Sequence, residues 1–146
     1  MIAIVSGYFA TFHEGHKQYL QSAINENPTE LIVIVQDNKL QIEKYGINYV
    51  QVYTIVNKIQ QWYNSLTNIN TKLCIRINHE KSVAKELYEI KKIYKDECVI
   101  FMKDGDRDLN NLPQEELNVM KENNIGYKFL GNKKIMSSSE ILKIKS

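Results

Sequence analysis

The alternation of short apolar runs with amphipathic segments constrains the fold of this chain more than any other feature. The runs are rich in β-branched residues and are shorter than typical helices, so they predict strands. They are IAIV (2–5), ELIVIVQ (30–36), LCIRI (73–77), CVIFM (98–102) and GYKFL (126–130). Strands without polar alternation are typical of a parallel sheet that is covered on both faces.

Segments with apolar residues at helical spacing, such as Leu20 and Ala23, separate these strands. Helices are expected at 15–26, 49–66, 80–94, 113–123 and 137–146. The polar residues 37–48, which include Gly46, predict a loop. The order predicts an α/β fold, with a Rossmann-like parallel five-stranded sheet and helices on both faces, forming a single domain over residues 1–146.

Composition narrows the class of protein. Hydrophobic residues make up 43% of the chain and charged residues 25%, as in ordinary soluble globular proteins. The net charge of +2 is too small to indicate binding to nucleic acid or to a membrane surface. No apolar run has the length of a membrane span, and the first residues lack the basic region of a signal peptide. Cys74 and Cys98 lie in apolar runs without metal or redox spacing, which predicts buried, reduced thiols in a cytoplasmic protein.

In parallel sheets, ligands bind beyond the carboxyl ends of the strands. The loops at this edge are expected at 6–16, 36–48, 78–82, 103–112 and 131–139. The first loop holds Gly7, His13, Gly15 and His16, and so two of the three histidines of the chain. A helix that begins near Glu14 would offer backbone N–H groups and a positive dipole to an anion. The imidazoles would add hydrogen-bond donors that can become cationic.

The residues of this loop leave three interpretations open. Two imidazoles can stabilise the charge that develops on a phosphate oxygen during attack. The same histidines can instead be exposed to solvent or satisfied by their neighbours. A metal pair is the third interpretation, although no third ligand follows nearby and His79 is distant in sequence.

The last loop carries a second candidate anion site. Lys133 and Lys134 precede Ser137, Ser138 and Ser139, which open the final predicted helix. Hydroxyls and amides at a helix N-terminus bind anions, and the lysines add positive charge. A plain helix cap needs one serine, so three serines favour an anion site.

These loops carry a resemblance to a known family. The pattern G-x-F-x-x-F-H-x-G-H after the first strand resembles the H-x-G-H signature of the cytidylyltransferase-like nucleotidyltransferases. MSSSEI resembles the second signature of that family, I-[ST]-[ST]-[ST]-x-[IV], and KDGDRDLNNLP (103–113) resembles its G-G-D-R-x-x-x-N-I-P loop. The resemblance extends over essentially the whole chain and includes glycerol-phosphate cytidylyltransferases and small adenylyltransferases.

The resemblance implies a role for each matching position. His13, His16 and Lys44 would be catalytic, because the histidines would hold the triphosphate and the lysine would meet the phosphates or the phosphorylated substrate. Asp104 to Arg107 would lie near the base and ribose, and the serines near the phosphates that leave. The further nucleotide-binding positions are Gly7, Tyr8, Phe9, Gly15, Asp106, Lys133, Ser137, Ser138 and Ser139.

The reaction that the resemblance implies is the transfer of a nucleoside monophosphate to a small phosphorylated alcohol, polyol or sugar, with release of pyrophosphate. CMP from CTP is favoured, because the chain length and the paired signatures resemble the small cytidylyltransferases. Mg²⁺ would accompany the triphosphate, with no side chain implied as a metal ligand, and the protein would be a homodimer. The alternatives are an adenylyltransferase that uses ATP on a phosphorylated sugar, a nucleotide-binding module without catalysis, and a metal-binding or structural α/β protein.

Four positions depart from the family pattern. Ala10 stands where most relatives have Asp, and Gly46 where glycerol-phosphate cytidylyltransferases have a second lysine. Tyr53 stands where relatives have an arginine in the following helix, and Asn132 replaces an arginine before the second signature. These changes argue against glycerol phosphate as the acceptor.

Overall fold

The computed structural model describes residues 1–104 and 111–131, together with the backbone of 134–136. The strands in these residues are β1 (Ile2–Gly7), β2 (Glu30–Gln36), β3 (Lys72–Asn78), β4 (Val99–Lys103), β5 (Gly126–Phe129) and β6 (Lys134–Met136). They form one sheet in the order β3-β2-β1-β4-β5-β6. All five predicted strands are present, each within about two residues of its expected bounds.

The five predicted strands are all parallel to their neighbours. The prediction of a Rossmann-like parallel five-stranded sheet is therefore confirmed. β6 lies within a segment predicted to be a loop, and that prediction is wrong for 134–136. This short strand pairs antiparallel with β5, with Lys128 opposite Ile135, and thereby covers an edge that would otherwise expose unpaired backbone groups.

The helices in the described residues are α1 (Glu14–Ile24), α2 (Asn38–Tyr45), α3 (Val52–Ser65), α4 (Ala84–Ile93) and α5 (Gln114–Glu122). The predicted helix at 137–146 lies outside the described residues. In the part of the chain that the structure describes, none of the helices combines the length and the apolar character needed to cross a membrane.

Two apolar layers place helices on both faces of the sheet. Val5 and Leu20 belong to the layer between the sheet and helices α1 and α3. Ile4, Leu87 and Met120 belong to the layer between the sheet and helices α4 and α5. The alternation of Ile4 and Val5 between layers follows from the period of two in a strand, and it explains why β1 is apolar throughout.

The prediction of a loop over 37–48 is wrong. Asp37 caps α2 by accepting a hydrogen bond from the Leu40 N–H at 2.9 Å. Gly46, with a φ of +61°, ends this helix and begins a short 3₁₀ helix at Gly46–Asn48. Only Leu40 and Gln41 of α2 are buried, so the segment lacks the apolar stripe by which longer helices are recognised.

The prediction of two buried thiols is also wrong. Cys98 is exposed because it precedes β4, whose buried residues begin at Val99. Cys74 is half-buried because it lies on β3, which has a neighbouring strand on one side only.

Candidate functional site

The strand order reverses between β1 and β4, which makes this point of the sheet its topological switch point. The carboxyl ends of strands that flank such a point open a crevice in which α/β proteins bind ligands. An open cleft of about 400 Å³ lies there, and its walls come from the loops after β1, β2, β3 and β4. The location predicted from topology is therefore the location of the cleft.

His13 is the N-cap of α1. Its Nδ1 accepts a hydrogen bond from the Gly15 N–H at 3.0 Å, and its own N–H donates to Nδ1 of His16 at 3.1 Å. This reciprocal arrangement is a capping box made by two histidines instead of the usual serine and glutamate. The N–H groups of His13 and Gly15 are therefore accepted by the rings themselves.

The two rings are stacked, with centroids 3.8 Å apart and planes inclined by 15°. Because Nδ1 is an acceptor in both rings, each neutral imidazole carries its proton on Nε2 and can donate that proton to a ligand. Burial, followed by the proximity of His13, lowers the pKa of His16 below its ordinary value. Each ring therefore offers an Nε2–H donor, and the lowered pKa of His16 favours the neutral form of that imidazole.

Gly15 is required by the position of the His13 ring. A Cβ at residue 15 would lie 2.9 Å from Cε1 and 3.1 Å from Nδ1 of that ring. Such distances are shorter than van der Waals contact, so any larger residue would displace the imidazole. The glycine between the two histidines thus fixes the geometry of the pair.

The loop before the histidines is held by buried aromatic residues in an unusual backbone conformation. Phe9 and Phe12 have φ values of 51° and 43°, and both side chains are buried. Each such residue costs about 1–3 kcal/mol, which surrounding packing must offset. The Phe9 ring lies edge-on to His16 at 5.4 Å, and the Phe12 ring is stacked on it at 6.3 Å. Strain in this loop is thus coupled to the placement of His16.

Lys44 reaches the cleft from α2. Its ammonium lies 4.1 Å from the ring centroid of Tyr8, an attractive cation–π distance. The Tyr8 and Tyr45 rings meet edge-on at 5.8 Å. Gln41, fully buried on the same helix, donates to the carbonyl oxygens of Tyr8 at 2.9 Å and Gln36 at 3.2 Å. α2 is therefore fastened to the loop after β1, and it carries Lys44 with it.

Lys103 enters the cleft from the end of β4. Its Nζ donates to the Ser6 Oγ of the neighbouring strand at 2.7 Å. The backbone beside it is braced by Tyr19, whose hydroxyl donates to the Met102 carbonyl at 2.5 Å and accepts from the Ser6 N–H at 3.4 Å. A cation is thus anchored over the switch point.

The N-terminus of α4 also reaches the cleft, but its first amides are taken by protein groups. The Val83 N–H donates to the buried Glu116 carboxylate at 3.0 Å, and the Ala84 N–H donates to the Ser82 hydroxyl at 3.0 Å. A carboxylate at a helix N-terminus is favourable because it meets the positive end of the dipole. Glu116 therefore occupies the place that an external anion would take at α4.

A polar network joins the ends of β2 and β3 beside the cleft. Asn78 donates to the Gln36 Oε1 at 2.6 Å and to the Glu80 carbonyl. His79 Nδ1 lies 2.8 Å from an oxygen of Asp37. Burial alone would raise the pKa of Asp37, but its hydrogen bonds with the Leu40 N–H and His79 hold that pKa below the ordinary value. The network fixes the edge of the cleft.

Many of the predicted site residues are brought together in this cleft. Those that line it are Gly7, Tyr8, Phe9, His16, Lys44 and Asp104. His13 and Gly15 lie at its margin, where they set the orientation of His16. The predicted residues Asp106, Arg107, Lys133, Ser137, Ser138 and Ser139 lie outside the described residues.

Several lining residues were not predicted. They are chiefly polar and include Ser6, Gln36, Lys81, Lys103 and Glu116. The positions of Lys81 and Lys103 in loops after strands were a usable signal, because both loops were expected at the ligand edge. The role of Glu116 depends on a contact between two helices and has no local signature.

The departures from the family pattern occupy different environments. Ala10 is buried with 8% exposure, so no carboxylate reaches the cleft from this position. Gly46 ends α2 at a positive φ, and Tyr53 is 61% exposed on the first turn of α3. Asn132 lies outside the described residues.

No protein-family model matches this chain, and no match to it occurs among the curated proteins.

Proposed function

We propose that this protein is a nucleotidyltransferase that transfers a nucleoside monophosphate to a small phosphorylated alcohol, polyol or sugar. The observation that carries the proposal is the stacked His13–His16 pair, which places two imidazole donors beside a cleft at the switch point. Lysines 44, 81 and 103 line the same cleft and supply the positive charge that a triphosphate attracts.

In the proposed reaction, a phosphate oxygen of the acceptor attacks the α-phosphorus of the nucleoside triphosphate. The new O–P bond forms as the bond from the α-phosphorus to the bridging oxygen breaks, and pyrophosphate leaves with that oxygen and its electron pair. Such a displacement requires alignment and charge stabilisation rather than a covalent intermediate. Nε2–H of His16 and of His13 would donate to the phosphate oxygens on which negative charge increases.

A magnesium ion would accompany the triphosphate and neutralise part of its charge. Within residues 1–104 and 111–131, no cluster of three or more histidine, cysteine, aspartate or glutamate residues could hold a metal ion. The fit is therefore to a metal that is bound mainly by phosphate oxygens, with the Asp104 carboxylate at the wall of the cleft. The side chains described above bind and orient the phosphates.

Lys44 is the residue that we assign to the acceptor. It comes from α2, whereas the histidines come from α1, so the two cationic or donor groups approach the cleft from different elements. The neighbouring Tyr8 and Tyr45 side chains add apolar ring faces and polar hydroxyls that an alcohol or sugar can contact. CTP is the proposed donor, and ATP the alternative, because the resemblance favours the cytidylyltransferases.

The experiment that tests the proposal is pyrophosphate release from CTP or ATP with Mg²⁺ and a panel of phosphorylated polyols and sugars. Release with one pair of substrates identifies the donor and the acceptor together. The matched controls are His13→Ala and His16→Ala, which must lose turnover with the same pair. Turnover that survives in both variants would contradict the assignment.

A nucleotide-binding module without catalysis is the second candidate. It is favoured by Ala10, a buried methyl group where the family has a carboxylate. This candidate predicts that CTP or ATP raises the melting temperature while no acceptor releases pyrophosphate.

A further inference from the structure

We propose that Lys103 binds the α-phosphate of the nucleotide and forms a cationic wall of the cleft, opposite the imidazole donors of the histidines. The inference rests on the proposed function and assigns a substrate-binding role to a residue for which the resemblance implies none. It also names which of the three phosphates the lysine holds.

The position of the ammonium follows from the pairing of β1 with β4. Ile4 lies opposite Phe101 in this parallel pair, so Ser6 and Lys103 follow at matching positions toward the carboxyl ends. The Nζ atom of Lys103 spans from its own strand to Ser6 Oγ at 2.7 Å. The charge is therefore held across the gap between the two strands at which the strand order reverses.

The lysine and the histidines approach this point from opposite faces of the sheet. Lys103 lies two residues after Phe101, which packs in the layer with α4 and α5, and residues two apart share a face. His16 belongs to α1, which packs on the other face. Both side chains line the same cleft. A phosphate at the end of β1 would therefore lie between an imidazole donor and an ammonium.

The hydroxyl of Ser6 adds a donor to this wall. Because Ser6 Oγ accepts the bond from Lys103, its own hydrogen points elsewhere and can reach a ligand oxygen. Ser6 is 7% exposed and its N–H is braced by the Tyr19 hydroxyl, so the hydroxyl has little freedom to move. Lysine and serine would act on one phosphate as a preorganised pair.

A purely structural role predicts a different response to substitution. The Lys103 ammonium lies 4.9 Å from the Phe101 ring centroid, and the methylene stems of lysines generally pack on apolar neighbours of this kind. Lys103→Met preserves this packing and removes the charge. A structural lysine would thus tolerate the change, whereas a phosphate ligand would not.

Isothermal titration of wild type, Lys103→Met and Lys103→Arg with CMP, AMP and inorganic pyrophosphate tests the proposal. We expect Lys103→Met to weaken binding of the preferred monophosphate by about 10- to 100-fold, the loss typical of one charged hydrogen bond. Pyrophosphate lacks the α-phosphate, so its affinity should stay within about twofold. Lys103→Arg should restore most of the monophosphate affinity.

Lys92→Met is the matched control. Lys92 is exposed in the last turn of α4, and the first turn of that helix lies at the cleft. A ten-residue helix is about 15 Å long, so Lys92 lies near the opposite edge of the sheet. This variant should bind all three ligands as wild type does, and thermal melting of each variant checks the fold.

Three results would overturn the proposal: unchanged monophosphate affinity in Lys103→Met, an equal loss of pyrophosphate affinity, or wild-type protein that binds neither monophosphate. The inference and the proposed function fail separately. Pyrophosphate release with normal CMP binding by Lys103→Met would remove only the inference. Lysine-dependent CMP binding without any turnover would remove only the transferase.

Discussion

The imidazole rings of His13 and His16 lie 3.8 Å apart and nearly parallel, and each accepts a backbone N–H at the start of α1. The cap and the candidate catalytic pair are thus the same two side chains. Their Nδ1 atoms accept backbone N–H groups, and their Nε2–H groups are the donors that we propose for the phosphates. Substitution of either histidine is expected to change both stability and activity, and the two effects can be measured separately.

Removal of either ring should abolish most of the activity. We expect His13→Ala and His16→Ala each to lower kcat by about 10²–10³, the usual loss of one donor to a developing oxyanion. The His13 change should also cost about 1 kcal/mol of unfolding free energy, because the cap of α1 is lost. Pyrophosphate release and urea unfolding measure the two effects. Gln18→Ala, on the exposed side of the same helix, should retain turnover.

Gly15→Ala should reduce activity while the free energy of unfolding changes little. The added Cβ would displace the His13 ring, but alanine favours a helix over glycine by about 1 kcal/mol and offsets the weakened cap. Steady-state kinetics and thermal melting provide the measurements. Gln18→Ala, on the exposed side of α1, is the control. Full activity in Gly15→Ala would show that the ring position does not matter.

Stability should depend on pH through His16. Since burial and His13 lower its pKa below the ordinary 6.5, the unfolded chain binds a proton that the folded chain rejects. The free energy of unfolding should therefore rise with pH from the lowered pKa up to about 6.5 and level off above it. Urea unfolding between about pH 5 and about pH 8 measures the slope. His16→Gln should reduce the slope, and Gln18→Ala on the exposed side of α1 should preserve it.

Gln41→Leu should destabilise the fold by about 1–3 kcal/mol, because the buried Gln41 side chain donates to the carbonyls of Tyr8 and Gln36 and both lose this donor. The measurement is the urea midpoint, with an unchanged slope. Gln60→Leu is the control, since Gln60 donates to Asn64 on the exposed side of α3, and such sites change by about 0.5 kcal/mol or less. Equal stabilities would contradict the role of Gln41 as a fastening between α2 and the cleft.

Lys44→Met should raise the KM for the phosphorylated acceptor by about tenfold or more, with a smaller change for the nucleotide. The charge loss acts on the acceptor because Lys44 enters from α2, away from the histidines. Initial rates at varied concentrations of each substrate separate the two constants. Lys39→Met tests a neighbouring exposed lysine of the same helix and should match wild type. A selective rise in the nucleotide KM would reverse our assignment.

The fold could be predicted from the sequence wherever burial alone determines the pattern of apolar residues. The runs at 2–5 and 30–36 are apolar on both faces because the strands are central, and they were found almost to the residue. α2 was missed because it buries only Leu40 and Gln41, and its capping residue Asp37 looks like any polar loop residue. The short strand at 134–136 depends on pairing with β5 and leaves no periodic signal.

The location of the site could be predicted from the sequence, but its geometry could not. Topology and the histidine spacing predicted the loops, and His16, Lys44 and Asp104 do line one cleft. The sequence could not reveal that the imidazoles take up the backbone amides of α1, because that depends on side-chain rotamers. The position of Lys103 at the ligand edge can be predicted from the sequence, but its contact with Ser6 depends on the pairing of β4 with β1, a long-range relationship.

The carboxylate of Glu116, bound to the Val83 N–H at the start of α4, gives the cleft a direction. The Glu116 carboxylate already accepts the N–H at the start of α4, whereas the imidazole N–H groups at the start of α1 can donate to a ligand. A phosphate in the cleft would therefore meet donors at the start of α1 and at Lys103, but not at the start of α4, where Glu116 already accepts the N–H group. A ligand with one charged end and one uncharged end would therefore bind in a single orientation. Transfer of a group between two different substrates requires such a fixed orientation.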